Sequence, residues 1–319
     1  MKYAALSRAL CPALLLIAGF APLAHGAEPT RLVVAYPPGA SLDSVSRTFG
    51  EQLRQILGDT VVVENRAGAN GTIGAQAVAQ SAPNGKTLLI SSDTLVTVNP
   101  YLYTKSSFDV SSLTPVGMLA FQSSVLVVRA DGGAKTVKDL VESARQKEIT
   151  YSSAGPGSSG HLVMSSLVAA SGIKAVHVPY KGGAPAVMAV MSGEVDAAFL
   201  AVGNVLPHVQ QGKLRALGVS SPARLQQLPN VPTMVESGFK DFVVRNGNLI
   251  MAPKNTPADV KGQLNKQFAQ AQSTKAFQDA LVNLGMEHAI LTAEETAKWL
   301  ATEGRRWERV IKDNGIKVD

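Results

Sequence analysis

Apolar residues along this chain fall into short unbroken runs that alternate with stretches of helical spacing. Residues 31–36 form such a run, the mark of a buried strand. Leu42, Val45, Phe49, Leu53, Ile56 and Leu57 then recur at the three-and-four spacing of an amphipathic helix, which Gly58 stops. Ser41 stands where the N-cap of that helix belongs. Residues 60–64 read as a strand and 71–80 as a short helix; 86–91 form a third strand, introduced by the turn pair Asn84-Gly85. Strand, helix, strand, helix, strand is the pattern of a parallel α/β sheet.

After a loop at 101–109, the apolar runs 116–119 and 125–129 predict two further strands, and a second alternating series begins. Its helices are expected at 137–144, 161–171, 184–192 and near 205–210, and its strands at 149–153, 175–178, 195–200 and 214–219. This half repeats the architecture of the first without repeating its sequence, so two similar lobes are expected. Residues 220–238, rich in Pro and polar residues, read as a long surface connection, and 242–251 as a returning strand. Thr256-Pro257 predicts an N-cap followed by Pro at the first helical position. Thr292 and Glu295 form a capping box that opens a last helix, whose Trp299, Trp307, Val310 and Ile311 pack it onto a lobe before Gly315 ends it.

The N-terminus adds an address. Lys2 and Arg8 precede the apolar run 13–20, and Ala24-His25-Gly26 offers small residues at the cleavage positions before Ala27. That is a secretory signal peptide over residues 1–26, with an apolar core well short of the ~20 residues a membrane span needs. A periplasmic location follows as the expectation. Cys11, the one cysteine, precedes the apolar run, so cleavage leaves a mature chain with no thiol and stability must come from a core. The formal charge of +6 falls to +4 once Lys2 and Arg8 are lost, and aromatics make up 5% of the chain. Nothing in that balance suggests nucleic acid. No metal or cofactor is expected either, because the histidines show no paired ligand spacing.

Two strand-to-helix junctions carry the candidate chemistry. In the first, Tyr36, Gly39, Ala40, Ser41 and Asp43 lead from strand to helix through Pro37-Pro38. A helix start offers free amides and roughly half a positive charge, enough to hold a carboxylate or phosphate oxygen. In the second, Ser153, Gly155, Gly157, Ser158 and Ser159 leave one strand and open the next helix. Each alone could be an ordinary capped turn; facing each other, they would grip a short anion from both ends. Ser91 belongs with them at the carboxyl end of the third strand, where ligands of parallel sheets collect. Asp43 either complements the helix dipole or accepts from a ligand amine, hydroxyl or bridging water; Asp196, at a strand start, carries the same ambiguity.

A serine hydrolase is the competing chemistry, since Ser158 and Ser159 lie near His161. The nucleophile elbow needs Gly two positions either side of the serine, and neither has it. Nothing links His161, His177, His208 or His288 to an Asp by spacing. Residues 68–74 resemble a phosphate loop but lack both the GxGxxG order and a following Lys-Ser/Thr.

Several stretches, in order, resemble the Bug-type substrate-binding receptors of the tripartite tricarboxylate transporter family. They are Tyr36-Pro37-Pro38-Gly39 with Asp43, Glu64-Asn65-Arg66-Ala67-Gly68 with Gly71, His177-Val178-Pro179-Tyr180-Lys181-Gly182, Leu228-Pro229-Asn230-Val231-Pro232-Thr233, and Ala252-Pro253 with Thr256-Pro257. The resemblance implies an α/β fold, a two-lobed periplasmic binding protein of type II. Each lobe would be a mixed, mostly parallel sheet flanked by helices, joined by a strand hinge. By the same analogy, residues 27–126 and 245–319 make lobe one and 127–244 lobe two. It also implies a receptor, not an enzyme, expected to be a monomer. It would bind a small carboxylate (a di- or tricarboxylate, an aromatic acid or an acidic amino acid) and deliver it to the membrane permease subunits of a tripartite transporter, or alternatively report it to a sensor kinase. The chain departs from the family where Ala40 replaces a usual second Gly, and where Gly247-Asn248-Leu249 replaces a common Trp-x-Gly.

Overall fold

The computed structural model describes residues 28–103 and 108–316. The expected signal peptide and Cys11 lie outside the described residues. The first lobe is built on β1 (Thr30–Val34), β2 (Val61–Asn65) and β3 (Thr87–Ser92), all parallel, with Leu32 level with Val63 and Leu88. Leu32, Val33, Val34, Leu88, Leu89 and Ile90 are all buried, as strands covered on both faces require. One face carries α1 (Ser41–Leu57), α9 (Ala258–Gln272) and α10 (Lys275–Asn283) over a single apolar cluster, where Phe49 meets Phe268 and Phe277 edge-on. The other carries α2 (Thr72–Ala79) and the one-turn helices α3 (Thr94–Thr97) and α4 (Asn99–Leu102). Helix α9 is capped by Pro257, one residue later than the expected Thr256 cap.

The apolar runs at 116–119 and 125–129 are not two strands but one, β4 (Leu113–Arg129). Gln122, Ser123 and Ser124 break the apolar pattern, yet their backbone stays extended because its partners change there without a gap. Ser123 still opposes Arg245 of β9 (Arg245–Pro253), whereas Ser124 opposes Ala201 of β7 (Ala197–Ala201). The returning strand likewise starts at Arg245, later than its apolar residues suggest, because Phe242 and Val244 pack into a core instead. Ser220 fastens the crossing. Its N–H donates to Ser124 O and its hydroxyl to Val244 O, while Ser124 N donates to Ser220 Oγ and Val244 N to Ser220 O, all within 2.9 Å.

The second lobe adds β5 (Ile149–Ser153), β6 (Ala175–Pro179) and β8 (Leu214–Val219), giving the continuous order β2-β1-β3-β9-β4-β7-β5-β6, with β8 also on β4. Helices α5 (Val137–Gln146) and α6 (Ser159–Ser171) cover one face, and α7 (Gly183–Ser192) and α8 (Val202–Gln210) the other. A short β10 (Met286–His288) pairs with β4. The last helix, α11 (Ala293–Asp313), opens on the expected Thr292–Glu295 capping box. It packs on both lobes: Leu300 joins a first-lobe cluster, Trp307 and Ile311 a second-lobe one.

Candidate ligand-binding cleft

At the first junction the chain turns at Gly39, whose φ of +82° lies in the left-handed region that favours glycine. Ala40 follows in extended conformation and becomes the N-cap, so Ser41 is the first helical residue and not the cap its sequence position suggests. At φ −67° and ψ 155°, position 40 has no need of a second glycine. No side chain caps α1, which leaves its first amides open.

Asp43 is committed to the protein. Its Oδ2 accepts from Gly39 N at 2.9 Å and Arg47 Nε at 3.1 Å; its Oδ1 accepts from Asn65 Nδ2 at 2.8 Å and lies 2.9 Å from Arg47 Nη2. Burial pushes its pKa up, but the bonds from Gly39, Arg47 and Asn65 outweigh that and hold it below the usual carboxylate value. With both oxygens engaged by the protein, Asp43 shapes the Pro-Gly loop.

At the second junction Ser158 is the N-cap of α6, yet its hydroxyl makes no capping bond and is buried without a partner. Ser153 Oγ donates to Gly155 O and accepts from Gly155 N, with His177 Nε2 at 2.7 Å. Gly157 N donates to His161 Nδ1 at 3.1 Å, and the His161 and His177 rings stack at 3.8 Å. Burial, with His177 alongside, pushes the His161 pKa down to about 4, so the acceptor nitrogen stays unprotonated at neutral pH. These histidines hold the loop that carries Gly155 and Gly157. The Ser153–His177 contact is no hydrolase dyad, because the serine is fully buried and bonded to its own loop. Neither serine weighed as a nucleophile has a histidine partner: Ser159 Oγ donates to Asn246 Oδ1 at 3.0 Å and Ser158 Oγ is unpartnered.

Each junction touches the other lobe. A Cβ on Gly157 would lie 2.5 Å from Leu102 of α4, and one on Gly203, at the start of α8, would lie 3.8 Å from Ser41 Oγ. A Cβ on Gly285 would lie 2.5 Å from Val202. Gly285 also has φ +65°, so Gly285→Ala is expected to cost on the order of 1 kcal/mol in backbone strain and to wedge the lobes apart. Denaturant titration and calorimetry would register this as a lower midpoint and weaker ligand binding.

Ser91 Oγ is buried and unpartnered, facing Gly71 at the start of α2. The Tyr36 phenol, its pKa raised by burial, lies beside Ser92 and Thr94 at the end of β3. Asp196 is the residue that does not join the others. It precedes β7, at the opposite end of the sheet from Ser153, and there accepts from Thr150 N at 2.7 Å and Thr150 Oγ1 at 3.0 Å. Strand direction accounts for this: β5 and β7 are parallel, so the loops after Ser153 and Ala201 lie at one end of the sheet and Asp196, before β7, at the other. A hollow of about 420 Å³ beside Asp196, lined by Arg129, Asp139 and Ser143, shares that remote end. Sequence reasoning missed Asn246 and Asn248; their signal is two amides inside an otherwise apolar strand.

Two α/β lobes joined by strands that change sheets, with open helix starts where the lobes meet, define a periplasmic binding protein. Residues 45–316 match the family described as "TctC: Tripartite tricarboxylate transporter family receptor", and the chain belongs to that family. It is 35% identical over 298 residues to Protein BugT of Bordetella pertussis (strain Tohama I), covering 92% of this chain and 91% of that protein. Its fold is similar to that of the periplasmic binding protein BugD, with a TM-score of 0.76, 32% identity and coverage of 91% and 98% of the two chains. It is also similar to an R. palustris protein solved with adipate, with a TM-score of 0.80, 27% identity and coverage of 91% and 98%. Family and fold are those of substrate-binding receptors.

Proposed function

We propose that this protein binds a small carboxylate between its lobes without chemical change and presents it to the membrane permease subunits of a tripartite tricarboxylate-type transporter. The observation that carries this reading is the pair of helix starts, α1 and α6, each following the carboxyl end of a strand and each touching the other lobe, with no side-chain cap on either and the buried Ser158 hydroxyl unpartnered. Ser41, Ser153, Gly155, Gly157, Ser158 and Ser159 line or shape that site, while Asp43 holds the first loop. Residues 27–126 and 245–319 act as one lobe and 127–244 as the other, with β4 and β9 as the hinge. The adipate in the R. palustris relative supports a carboxylate ligand.

A thermal-shift panel of mono-, di- and tricarboxylates, aromatic acids and amino acids tests the reading. A true ligand at ~100 times its Kd should add about 2.7 kcal/mol of stability. Ser158→Ala should weaken that ligand without lowering the melting temperature of the free protein. A response to a neutral sugar or a cation, with none to any carboxylate, would refute the anion clamp. Unchanged affinity in Ser158→Ala would move the site elsewhere. Turnover of a carboxylic ester would make it an enzyme, and pull-down of a sensor kinase in place of permease subunits would make it a signalling receptor.

A further inference from the structure

Resting on that reading, we propose that Gln227 clasps the two lobes: from the second lobe it caps the carboxyl end of α10 on the first, and it strengthens ligand binding by favouring the closed arrangement without touching the ligand.

A helix leaves its last carbonyls without partners of its own. At the end of α10, Val282 O accepts from Gly285 N at 3.0 Å in the turn that follows, and it also accepts from Gln227 Nε2 at 2.5 Å. Neither end of that second bond belongs to a loose segment. On one side, Leu225 and Leu228 flank Gln227 and are buried in the second-lobe cluster that contains Val202 and Val205. The same arm is tied by Arg224, whose Nε lies 3.0 and 3.1 Å from the two Glu236 oxygens, and by Thr233 N, which donates to Glu236 Oε2 at 2.7 Å. On the other side, Phe277 and Leu281 seat α10 in the first-lobe core with Phe49 of α1.

The bond stands outside β4 and β9, the strands about which the lobes turn. Turning parts donor from acceptor, so the bond exists only with the lobes together. It extends a row of contacts between the α8 start and the turn after α10, where a Cβ on Gly203 would lie 3.4 Å from Leu284 O and one on Gly285 2.5 Å from Val202. Gln227 is half-buried and Val282 exposed, so water replaces the bond when the lobes separate and no polar group is stranded. Its modest net worth then falls on the closed state alone. A ligand that needs that state binds more tightly by up to the same factor.

Spin-label distances decide the matter. Cys11 is the one cysteine, so with Cys11→Ser in place, Gln263→Cys on α9 and Gln210→Cys on α8 put one label on each lobe, both at exposed positions. In the ligand-free protein, Gln227→Leu should move the distance distribution toward separated lobes. Gln227→Glu should move it further, because the carboxylate it introduces faces the negative end of the α10 dipole. Gln227→Lys should keep the wild-type distribution, since an ammonium group donates to the same carbonyl. With adipate as the probe, Gln227→Leu and Gln227→Glu should bind roughly three- to tenfold more weakly, mostly through faster dissociation, and Gln227→Lys within about twofold of wild type. Melting temperatures show whether each variant is folded. Identical distributions in wild type, Gln227→Leu and Gln227→Glu overturn the clasp, as does a shifted distribution with unchanged adipate affinity. The distances are read without ligand, so they decide the clasp even where the carboxylate reading fails.

Discussion

Gly160→Ala is expected to lose ligand binding and to lower the unfolding free energy by roughly 1–3 kcal/mol, the cost of forcing an extra carbon into a packed site. Helix propensity alone would favour Ala by about 1 kcal/mol. The geometry reverses that sign, because a Cβ at 160 would sit 2.2 Å from Phe199 O, a backbone atom of β7 that cannot rotate away. Helix α6 must then lift from the sheet at its first turn. That moves the Ser158 hydroxyl and breaks the Ser159–Asn246 bond between the lobes. Denaturant titration gives the stability and calorimetry the affinity. A variant with an unchanged midpoint and full affinity would show that the seat of α6 on β7 does not set the site.

The second large effect concerns pH. Burial, with the charge of Glu303 added, pushes the Asp93 carboxyl up to about 7, against bonds from Gly247, Ser92 and Thr94 that favour ionisation. The folded chain therefore keeps a proton that the unfolded chain has released by about pH 5. This contribution to stability is present at low pH and is lost as pH rises toward 7. Glu303, also raised by burial, faces Asp93 from α11, with Arg306 and Arg245 beside it. His161 acts in the opposite sense over much of the same range, since its lowered pKa makes the fold less stable as pH falls from about 6.5 to 4. The informative quantity is thus the difference between two proteins. Asp93→Asn should gain roughly 2–3 kcal/mol relative to wild type between pH 5 and pH 8. Parallel stability profiles for the two would mean that Asp93 is already ionised in the folded protein at pH 5.

Periodicity made the alternating elements, the α/β class and the capped last helix legible, because each of these is written in local spacing. The union of 116–119 and 125–129 into β4 was not, since what keeps Gln122 to Ser124 extended is a change of partner strand, a long-range fact. Both candidate loops could be read from their Gly, Pro and Ser residues. What each side chain does within them could not. Asp43 turned inward because Arg47 is one helical turn away and Asn65 arrives from β2. Asp196 looked like Asp43 in sequence, but it stands at the amino end of its strand. Asn246 gains meaning only when β9 meets the start of α6, where Ser159 bonds to it.

The four hydrogen bonds that Ser220 makes where the strands cross form a dry joint. In a receptor that closes on its ligand, a swing about such a joint wets and dries no group at the pivot itself. The heat-capacity change of binding should then report only the surfaces that meet in the cleft and at the Val202–Gly285 contact. The amides of Ser124, Ser220 and Val244 should exchange with deuterium equally slowly with and without ligand, while those of the 154–158 loop slow down on binding.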